Sequence, residues 1–330
     1  AVKLAKRHKF AQLSGFVNGV LRNIARNIDS VQFDTLSIRY SMPQWIVDRF
    51  VAAYGEKKAE EIFKAFHSKS TISIRTNLTR CTPDELRVML EAEGVTVTAV
   101  DELNYAFVIS GFDYLNGLQS FRDGLFYVQD ISSMLVAQTA APKKGDYVID
   151  VCAAPGGKST HIAELLQGSG HVLARDLTDN KVDMIEENIE RHGLNNMSAE
   201  VWDATVFDAD SAGKADILIC DLPCSGLGVL GRKKDIRYKM TPESVDELAA
   251  LQRQILDTVH TYVKPNGVLV YSTCTIDEAE NEDNVRWFIE KHPEFELDKS
   301  FAEGTGMKQI LPGEHGSDGF FIARFIKSKL

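Results

Sequence analysis

The chain has 330 residues, of which 44% are hydrophobic and 25% are charged, which is typical of a globular protein with room for two domains. It has no apolar run of about 18 residues or more and no charged-then-apolar secretory pattern, which argues against export and membrane insertion, so we expect a cytoplasmic protein. Because helical sequence is already under way at Ala1, we also expect that a longer N-terminal portion precedes it.

The cysteines and the charges restrict the kinds of site that the chain can contain. Five cysteines, without the spacing of a small disulfide-bonded domain, predict reduced thiols. Cys220 and Cys224 are close, but no second Cys or His pair follows at ligand spacing, so we expect no metal. The net charge is -10, yet residues 1–80 carry 14 Lys and Arg against 6 Asp and Glu. This basic portion is either a solvated helix surface or a nucleic-acid contact.

The N-terminal part predicts three helices. The first is amphipathic, with apolar residues at helical spacing, which are Phe16, Val17, Val20, Leu21 and Ile24. A second begins near Ser41 as N-cap, with Pro43 in its first turn, and runs to Tyr54. Gly55 separates it from a third over residues 56–67.

Residues 70–125 predict a small α+β unit. Residues 71–76 alternate like a strand, and Thr82 to Glu85 form a capping box with Pro at the first helical position. The helix that begins there is expected to end before Gly94, and two further strands are predicted over 95–100 and 105–110.

From residue 131 the pattern changes to apolar strands separated by helices, which predicts an open, mostly parallel sheet. The predicted strands cover residues 147–151, 171–176, 199–202, 216–221, 267–273 and 319–326. The predicted helices cover residues 157–166, 179–192, 242–263 and 278–291. In such a sheet a ligand binds beyond the carboxyl ends of the strands.

The first of these strands leads into a turn of small residues, DVCAAPGGKST at 150–160, and then into a helix. Small residues allow a ligand to approach the backbone, and a helix N-terminus offers N–H groups. The turn lacks the first glycine of a phosphate-binding loop and the GxGxxG of a dinucleotide site. Asp176 and Asp203, which end the next two strands, are placed to accept hydrogen bonds from a ribose and from an adenine amino group. The pattern therefore predicts a site for a nucleotide-like ligand.

Two thiols follow the next two strands, Cys224 in DLPCSGLGV and Cys274 in YSTCT. A single cysteine at a strand end is most often a small buried apolar residue. Two at neighbouring strand ends would meet at one edge of the sheet, which indicates thiol chemistry beside the ligand.

The segments DVCAAPGGKST, DLPCSGLGV, YSTCT and SDGFFIARF (317–325) resemble those of the RsmB/NOL1/NSUN family of RNA 5-cytosine methyltransferases. The opening AVKLAKRHKF and GFVNGVLRNI resemble the last helices of a NusB-like RNA-binding domain. The resemblance implies an α/β, Rossmann-like methyltransferase domain with a seven-stranded sheet at 126–330. A small α+β domain at 31–125 and NusB-like helices at 1–30 would precede it, in a monomer.

The resemblance also implies the site residues. S-adenosylmethionine (SAM) would be the methyl donor, held by Cys152, Ala153, Ala154, Pro155, Gly156, Gly157, Lys158, Asp176, Lys181, Asp203 and Asp221. Cys274 would be the nucleophile that adds to carbon 6 of cytosine, and Cys224 would release the product. Asp221, if protonated, is placed to hydrogen-bond to ring nitrogen 3.

The expected partner is small-subunit ribosomal RNA. A basic segment after Cys224 would grip its phosphates, through Arg232, Lys233, Lys234, Arg237 and Lys239. Alternatives are methylation of transfer RNA or another ribosomal site, methylation of an amino group, or a catalytically idle ribosome-assembly factor. Retention of both thiols argues against the idle factor, and Cys224 stands where an amino-group methyltransferase has an aromatic residue.

Overall fold

The structure is a computed structural model that describes residues 1–30, 32–68 and 71–329. The chain divides into two compact units, Ala1–Val47 and Asp48–Leu330. Within the described ranges, every helix is too short or too polar to cross a membrane.

The first unit is helical. Its helices are α1 (Val2–Arg7), α2 (Ser14–Asn27) and α3 (Leu36–Arg39). The predicted amphipathic helix is α2, and its apolar side chains remain exposed, as Phe16 at 71% and Ile24 at 51% show. This apolar stripe therefore has little cover from the described part of the chain.

Helix α4 (Gln44–His67) is interrupted at Gly55, whose φ of 77° and ψ of 158° are not helical. The predicted division into two helices at Gly55 is confirmed. The predicted start was wrong, because Ser41 has a φ of 47° and lies in a turn before the helix. The carbonyl of Pro43 accepts the first helical N–H groups, so Pro43 lies just before the first turn and not within it.

A small antiparallel sheet follows, in the order β2-β3-β1-β4. Its elements are β1 (Ile72–Thr76), α5 (Pro83–Ala92), β2 (Thr96–Val100), β3 (Leu103–Ser110), α6 (Gln119–Arg122) and β4 (Phe126–Val128). The predicted capping box of Thr82 and Glu85 is present, and α5 buries Leu86 and Leu90 against the sheet. Sequence analysis missed β4, because three residues are too few to show alternation.

The large sheet contains eight strands. They are β5 (Tyr147–Asp150), β6 (His171–Asp176), β7 (Met197–Val201), β8 (Ala215–Asp221), β9 (Val263–Thr273), β10 (Phe295–Leu297), β11 (Met307–Ile310) and β12 (Phe320–Lys327). Seven lie in the order β10-β12-β9-β8-β5-β6-β7, and β11 pairs with β12. The strands from β9 to β7 are parallel, whereas β12 is antiparallel to its neighbours. This arrangement confirms the predicted α/β fold, but among the described residues the sheet has eight strands and not the seven expected, because the short strand β11 pairs with β12.

Helices cover both faces of this sheet. They are α7 (Ile131–Ala140), α8 (Gly157–Leu165), α9 (Asp179–His192), α10 (Ile236–Lys239), α11 (Pro242–Val259) and α12 (Glu282–Lys291). One core includes Ile255 of α11 and Phe288 of α12, and the other includes Val136 of α7 and Ile162 of α8. Each of these fully buried side chains contributes about 2 kcal/mol through burial. The strands between two such layers have mostly apolar central residues, which made them recognisable in the sequence.

A buried ion pair joins the small sheet to the large one. The guanidinium of Arg75 on β1 contacts the carboxylate of Glu164 on α8, and both side chains are almost fully buried. Arg75 also donates to Gln129 Oε1 at 2.9 Å and to Thr160 Oγ1 at 3.1 Å. Removing one partner of such a pair costs about 3–5 kcal/mol, because the other charge stays buried alone. Arg75 therefore fixes α8, whose N-terminus borders the candidate site, against the small sheet.

Candidate active site

The predicted site residues follow the carboxyl ends of the parallel strands. Strands β7, β6, β5, β8 and β9 are neighbours in that order, so the segments after them meet at one edge of the sheet. The small-residue turn follows β5, Asp176 ends β6, Asp221 ends β8, and Cys274 follows β9. The sheet therefore brings together groups that are far apart in the sequence.

The turn after β5 is held by backbone hydrogen bonds to β6. Ala153 donates its N–H to the carbonyl of Arg175 at 2.8 Å, and Ala154 donates to Asp176 Oδ2 at 2.9 Å. Gly156 has a φ of 102°, which favours glycine, and α8 begins immediately after it. The turn therefore directs the N-terminus of α8 to the sheet edge.

Tyr127 supports this turn from below. Its hydroxyl donates to the carbonyl of Pro155 at 3.3 Å. A Cβ at Gly157 would lie 3.1 Å from the Tyr127 ring, so the ring closes one side of the turn.

Two carboxylates at this edge accept hydrogen bonds. Asp176 Oδ1 accepts from the N–H of Leu177 and from Lys181 Nζ, both at 2.8 Å. Asp203 is exposed, and its Oδ1 accepts from the N–H and the hydroxyl of Thr205. These hydrogen bonds lower the pKa of Asp203. Asp203 is thus an anion at neutral pH and can accept a hydrogen bond from a ligand.

Asp150 was not among the predicted site residues. It is fully buried at the end of β5 and accepts a hydrogen bond from the hydroxyl of Ser159. Burial raises the pKa of Asp150 to about 7, and the charge of Asp221 acts in the same direction. The acidic residue at the start of the DVCAAPGG turn was visible in the sequence, but its burial was not.

Lys158 on α8 and Asp221 after β8 form an ion pair, with Nζ and Oδ2 2.6 Å apart. Ser272 donates its hydroxyl to the other oxygen of Asp221 at 2.8 Å. Burial opposes the charge of Lys158, but Asp221 outweighs burial and raises the Lys158 pKa. Cys152 lies at the same edge, and burial raises the pKa of its thiol, so it stays protonated. Asp221 is therefore the anion of an ion pair, not an isolated carboxylic acid.

The two predicted thiols are in direct contact. The sulfur atoms of Cys224 and Cys274 lie 3.2 Å apart, and both side chains are partly buried. The contact with Cys224 lowers the pKa of Cys274, and the charges of Lys158 and Lys233 act in the same direction. The same contact and burial raise the pKa of Cys224 well above that of an ordinary thiol. The surroundings therefore favour the thiolate at Cys274, and a thiolate is the stronger nucleophile.

Asn281 holds the strand end that carries Cys274. Its Oδ1 accepts from the hydroxyl of Thr273 at 2.6 Å, and its Nδ2 donates to the carbonyl of Thr275 at 3.1 Å. Sequence analysis missed Asn281, since it placed residue 281 inside a helix from 278 to 291. The structure corrects this, because residues 278–281 form a turn and α12 begins at Glu282.

The loops that carry the thiols approach each other at Gly228. Its N–H donates to the carbonyl of Cys274 at 3.1 Å, and its carbonyl accepts from the N–H of Gly319 at 2.9 Å. A Cβ at Gly228 would lie 2.2 Å from the Gly319 oxygen and 2.8 Å from the Cys274 oxygen. Only a glycine fits between these backbones.

We expect the substitution Gly228→Ala to lower kcat by about 100-fold, because a displacement of about 1 Å at reacting groups has an effect of that size. The measurement is steady-state kinetics of the enzyme together with thermal unfolding. Gly19→Ala is the control, since no atom lies within 4 Å of that Cβ. A Gly228→Ala enzyme with unchanged kcat would contradict this account of the loop contact.

The chain is similar to proteins of a known family. The family profile of 16S rRNA methyltransferase RsmB/F matches residues 137–326, which is more than half of the chain. The chain belongs to the RsmB/F methyltransferase family. A second profile, for the ferredoxin-like domain of RsmF/B-like methyltransferases, matches residues 42–112. The predicted family, fold and methyl donor, SAM, are thereby confirmed.

Individual relatives agree with this assignment. The chain is 38% identical to the probable ribosomal RNA small subunit methyltransferase B of Bacillus subtilis, over 99% of this chain and 77% of that protein. It is 32% identical to the Synechocystis protein of the same description, with the same coverage. The crystal structure of NSun6 from Pyrococcus horikoshii with SFG has a TM-score of 0.79 and 25% identity, over 87% of this chain and 99% of that chain. A methyltransferase homologue from the same organism has a TM-score of 0.76 and 26% identity, over 88% of this chain and 97% of that chain.

The hydrogen-bond acceptors at this sheet edge of the RsmB/F methyltransferase fit SAM. The cofactor carries ribose hydroxyls, an adenine amino group and an ammonium group, all of which donate hydrogen bonds, and its sulfonium is positive. The sheet edge offers the carboxylates of Asp176, Asp203 and Asp221. These carboxylates are negatively charged hydrogen-bond acceptors at successive strand ends, and they match the hydrogen-bond donors and the positive charge of SAM.

The five basic residues predicted to bind RNA have different surroundings. Lys233 and Lys234 are exposed. Lys239 is exposed and forms an i,i+4 ion pair with Asp235 at 2.7 Å, and such a solvent-screened pair is weak enough to be exchanged for a phosphate. Arg237 is only 4% exposed and donates to the carbonyl of Leu230 at 3.2 Å. The structure favours a structural role for Arg237 over phosphate binding.

Arg232, the remaining residue of the predicted RNA surface, lies between two carboxylates. Its Nε is 2.6 Å from Asp318 Oδ2, and its Nη2 is 3.0 Å from Asp130 Oδ2. Burial and the charge of Asp130 raise the pKa of Asp318 to about 6. Arg232 therefore ties the loop after Cys224 to the segment before β12 and to the N-cap of α7.

Proposed function

We propose that this RsmB/F methyltransferase methylates carbon 5 of a cytosine in RNA, and that its substrate is small-subunit ribosomal RNA. One observation carries the proposal for carbon 5. The sulfur atoms of Cys224 and Cys274 lie 3.2 Å apart at the sheet edge that also carries the carboxylates proposed to hold SAM. The ribosomal substrate is supported by the two relatives described as ribosomal RNA small subunit methyltransferase B.

The first step would use Cys274. Carbon 5 of cytosine is a poor nucleophile, so a thiolate must first add to carbon 6 and increase the electron density at carbon 5. A bond forms between Cys274 Sγ and carbon 6, and the ring π electrons move to carbon 5 and toward ring nitrogen 3. A proton donor near nitrogen 3 stabilises the adduct. The ion pair of Lys158 and Asp221 lies at this edge of the sheet and would serve that role.

SAM would supply the electrophilic methyl group to carbon 5 and leave as S-adenosylhomocysteine. Carbon 5 then carries both the methyl group and its original proton. Removal of that proton restores the ring double bond and expels the Cys274 thiolate from carbon 6. Cys224, which contacts Cys274, would be the base for this step: its own proton passes to solvent, and the carbon 5 proton then replaces it on the Cys224 sulfur. The RNA leaves with 5-methylcytosine, and Cys274 is free to react again.

The exposed lysines Lys233 and Lys234 would bind phosphates beside the target base. We expect Lys233→Ala with Lys234→Ala to weaken RNA binding and to reduce the slope of log affinity against log salt by about 0.7 for each phosphate that is no longer neutralised. Filter binding across a salt series measures both. Lys308→Ala, an exposed lysine on β11, is the control. An unchanged slope in the double variant would remove these lysines from the RNA surface.

The function is tested by incubating the enzyme with SAM and with unmodified small-subunit RNA. The RNA is digested, its nucleosides are analysed by mass spectrometry, and the modified position is mapped by bisulfite sequencing. We expect 5-methylcytosine at a single site or a few sites. A methyl group on an exocyclic amino nitrogen would overturn the proposed chemistry. Product on transfer RNA alone would overturn the proposed substrate but leave the chemistry in place.

A further inference from the structure

We propose that Glu280 is a positioning residue that keeps the shared proton of the thiol pair on Cys224 and thereby leaves Cys274 as the attacking thiolate. The inference deepens the proposed function and rests on its covalent mechanism. Glu280 lies in the turn between β9 and α12 and is fully buried. The sequence analysis did not assign a role to it.

Glu280 and Gln252 together hold the loop of Cys224. The Oε1 of Glu280 accepts from the N–H of Ser225 at 2.8 Å, and its Oε2 accepts from the Ser225 hydroxyl. Gln252 on α11 donates to Glu280 Oε1 at 3.0 Å and to the carbonyl of Pro223 at 2.9 Å. Glu280 thus fixes the residue after Cys224 directly, and Gln252, which contacts Glu280, fixes the residue before it.

The surroundings of Glu280 are those of an anion. Its carboxylate accepts from three donors, which are the N–H and the hydroxyl of Ser225 and the amide of Gln252, and such donors stabilise its charged form. Burial raises the pKa of Glu280, but the Ser225 and Gln252 hydrogen bonds oppose that rise. Tyr271, which is buried beside it, contacts only the main-chain carbonyl of Glu280. A negative charge therefore lies directly behind the Cys224 loop.

The two sulfur atoms face charges of opposite sign. The pKa of Cys224 is raised by its contact with Cys274, by burial and by the charge of Glu280. Cys274 faces Lys158 and Lys233, which favour its thiolate, and Asp221, which does not. Asp221 is already paired with Lys158, so the charge of Lys233 makes the net charge near the Cys274 sulfur positive.

This asymmetry matters because the contact between the sulfurs is itself symmetric. At 3.2 Å either sulfur can donate to the other, so the contact alone does not decide which one is ionised. A thiolate at Cys224 would leave the attacking position with a weakly nucleophilic thiol. The charge of Glu280 breaks the symmetry, and the sequence supplies it six residues after Cys274.

The test uses the full chain without RNA, so it does not depend on methyl transfer. Iodoacetamide alkylation is followed between pH 5 and 9, and the labelled cysteines are quantified by peptide mass spectrometry. In the unmodified enzyme we expect Cys274 to react first. Glu280→Gln should lower the ratio of Cys274 to Cys224 labelling by about tenfold, the equivalent of one pKa unit. The Ser225 hydroxyl can turn to accept from the new amide, so the loop keeps its contact.

Glu278→Gln is the matched control, because Glu278 lies in the same turn with its side chain 59% exposed. An unchanged labelling ratio in Glu280→Gln, with Cys274 still first, would overturn the role of Glu280 alone. Equal labelling, or Cys224 first, in the unmodified enzyme would overturn the proposed nucleophile instead. The two failures are therefore distinguishable.

Ser225→Ala is a second variant that keeps the experiment decisive if Glu280→Gln does not fold. It removes one hydrogen bond that lowers the Glu280 pKa. The preference for Cys274 disappears as the pH falls through that pKa, so it should disappear at higher pH in Ser225→Ala. An unchanged pH dependence in this folded variant would likewise overturn the role of Glu280.

Discussion

The variant Cys274→Ala is expected to lose methylation activity by about 10⁴-fold or more, which is the order of loss when a covalent nucleophile is removed. Without the sulfur, carbon 5 of cytosine is not activated and the methyl group has no acceptor of sufficient strength. SAM binding should be retained, because the acceptors Asp176 and Asp203 belong to other strand ends. Single-turnover methylation and equilibrium dialysis with labelled SAM measure the two properties.

Cys81→Ala is the control for this variant, since Cys81 lies outside the large sheet, at the start of the segment that leads into α5. It should retain both activity and SAM binding. Activity near the unmodified level in Cys274→Ala would remove this residue from the nucleophilic role. Loss of both activity and SAM binding would instead indicate that the sheet edge had been disturbed.

The variant Cys224→Ala is expected to accumulate a covalent complex between protein and RNA. The thiolate of Cys274 can still add to carbon 6, but the group proposed to remove the carbon 5 proton is missing. The adduct then persists, because the thiolate cannot leave until that proton is removed. On a denaturing gel, the RNA should migrate with the protein in a fraction comparable to the enzyme added.

The double variant Cys224→Ala with Cys274→Ala separates this adduct from other cross-links. It should show no band of protein-bound RNA, since the bond to carbon 6 requires the Cys274 sulfur. If the single variant turns over normally and leaves no adduct, another group releases the product. A band in the double variant would assign the cross-link to a different residue.

Much of the fold could be predicted from local pattern. Strand β6 and helix α9 occur with the predicted bounds, because the strand is apolar on both faces and the helix ends at Gly193. Strands β4, β10 and β11 were not predicted, since each has only three or four residues. The start of α12 was placed too early, because the turn at 278–281 contains residues that also suit a helix.

Arg237 and Glu280 show why the site could be predicted only in part. Arg237 belongs to a run of basic residues, and a run of charge predicts a surface, yet the fold buries this one side chain. Glu280 stands in an acidic segment that suits a solvated helix, yet it accepts hydrogen bonds from Ser225 and Gln252. Neither burial nor these partners are encoded in the neighbouring sequence.

The sequence by itself determined which residues stand at the ends of the parallel strands, and therefore that the small-residue turn, Asp176, Asp221 and the two cysteines share one edge. Alternating strands and helices form a parallel sheet, and the carboxyl ends of parallel strands meet on the same side of it. Only the tertiary structure decided where the proton of the thiol pair lies. The position of a proton depends on burial and on nearby charges, and the fold places Cys274 under the influence of Lys158 and Lys233 and Cys224 under that of Glu280.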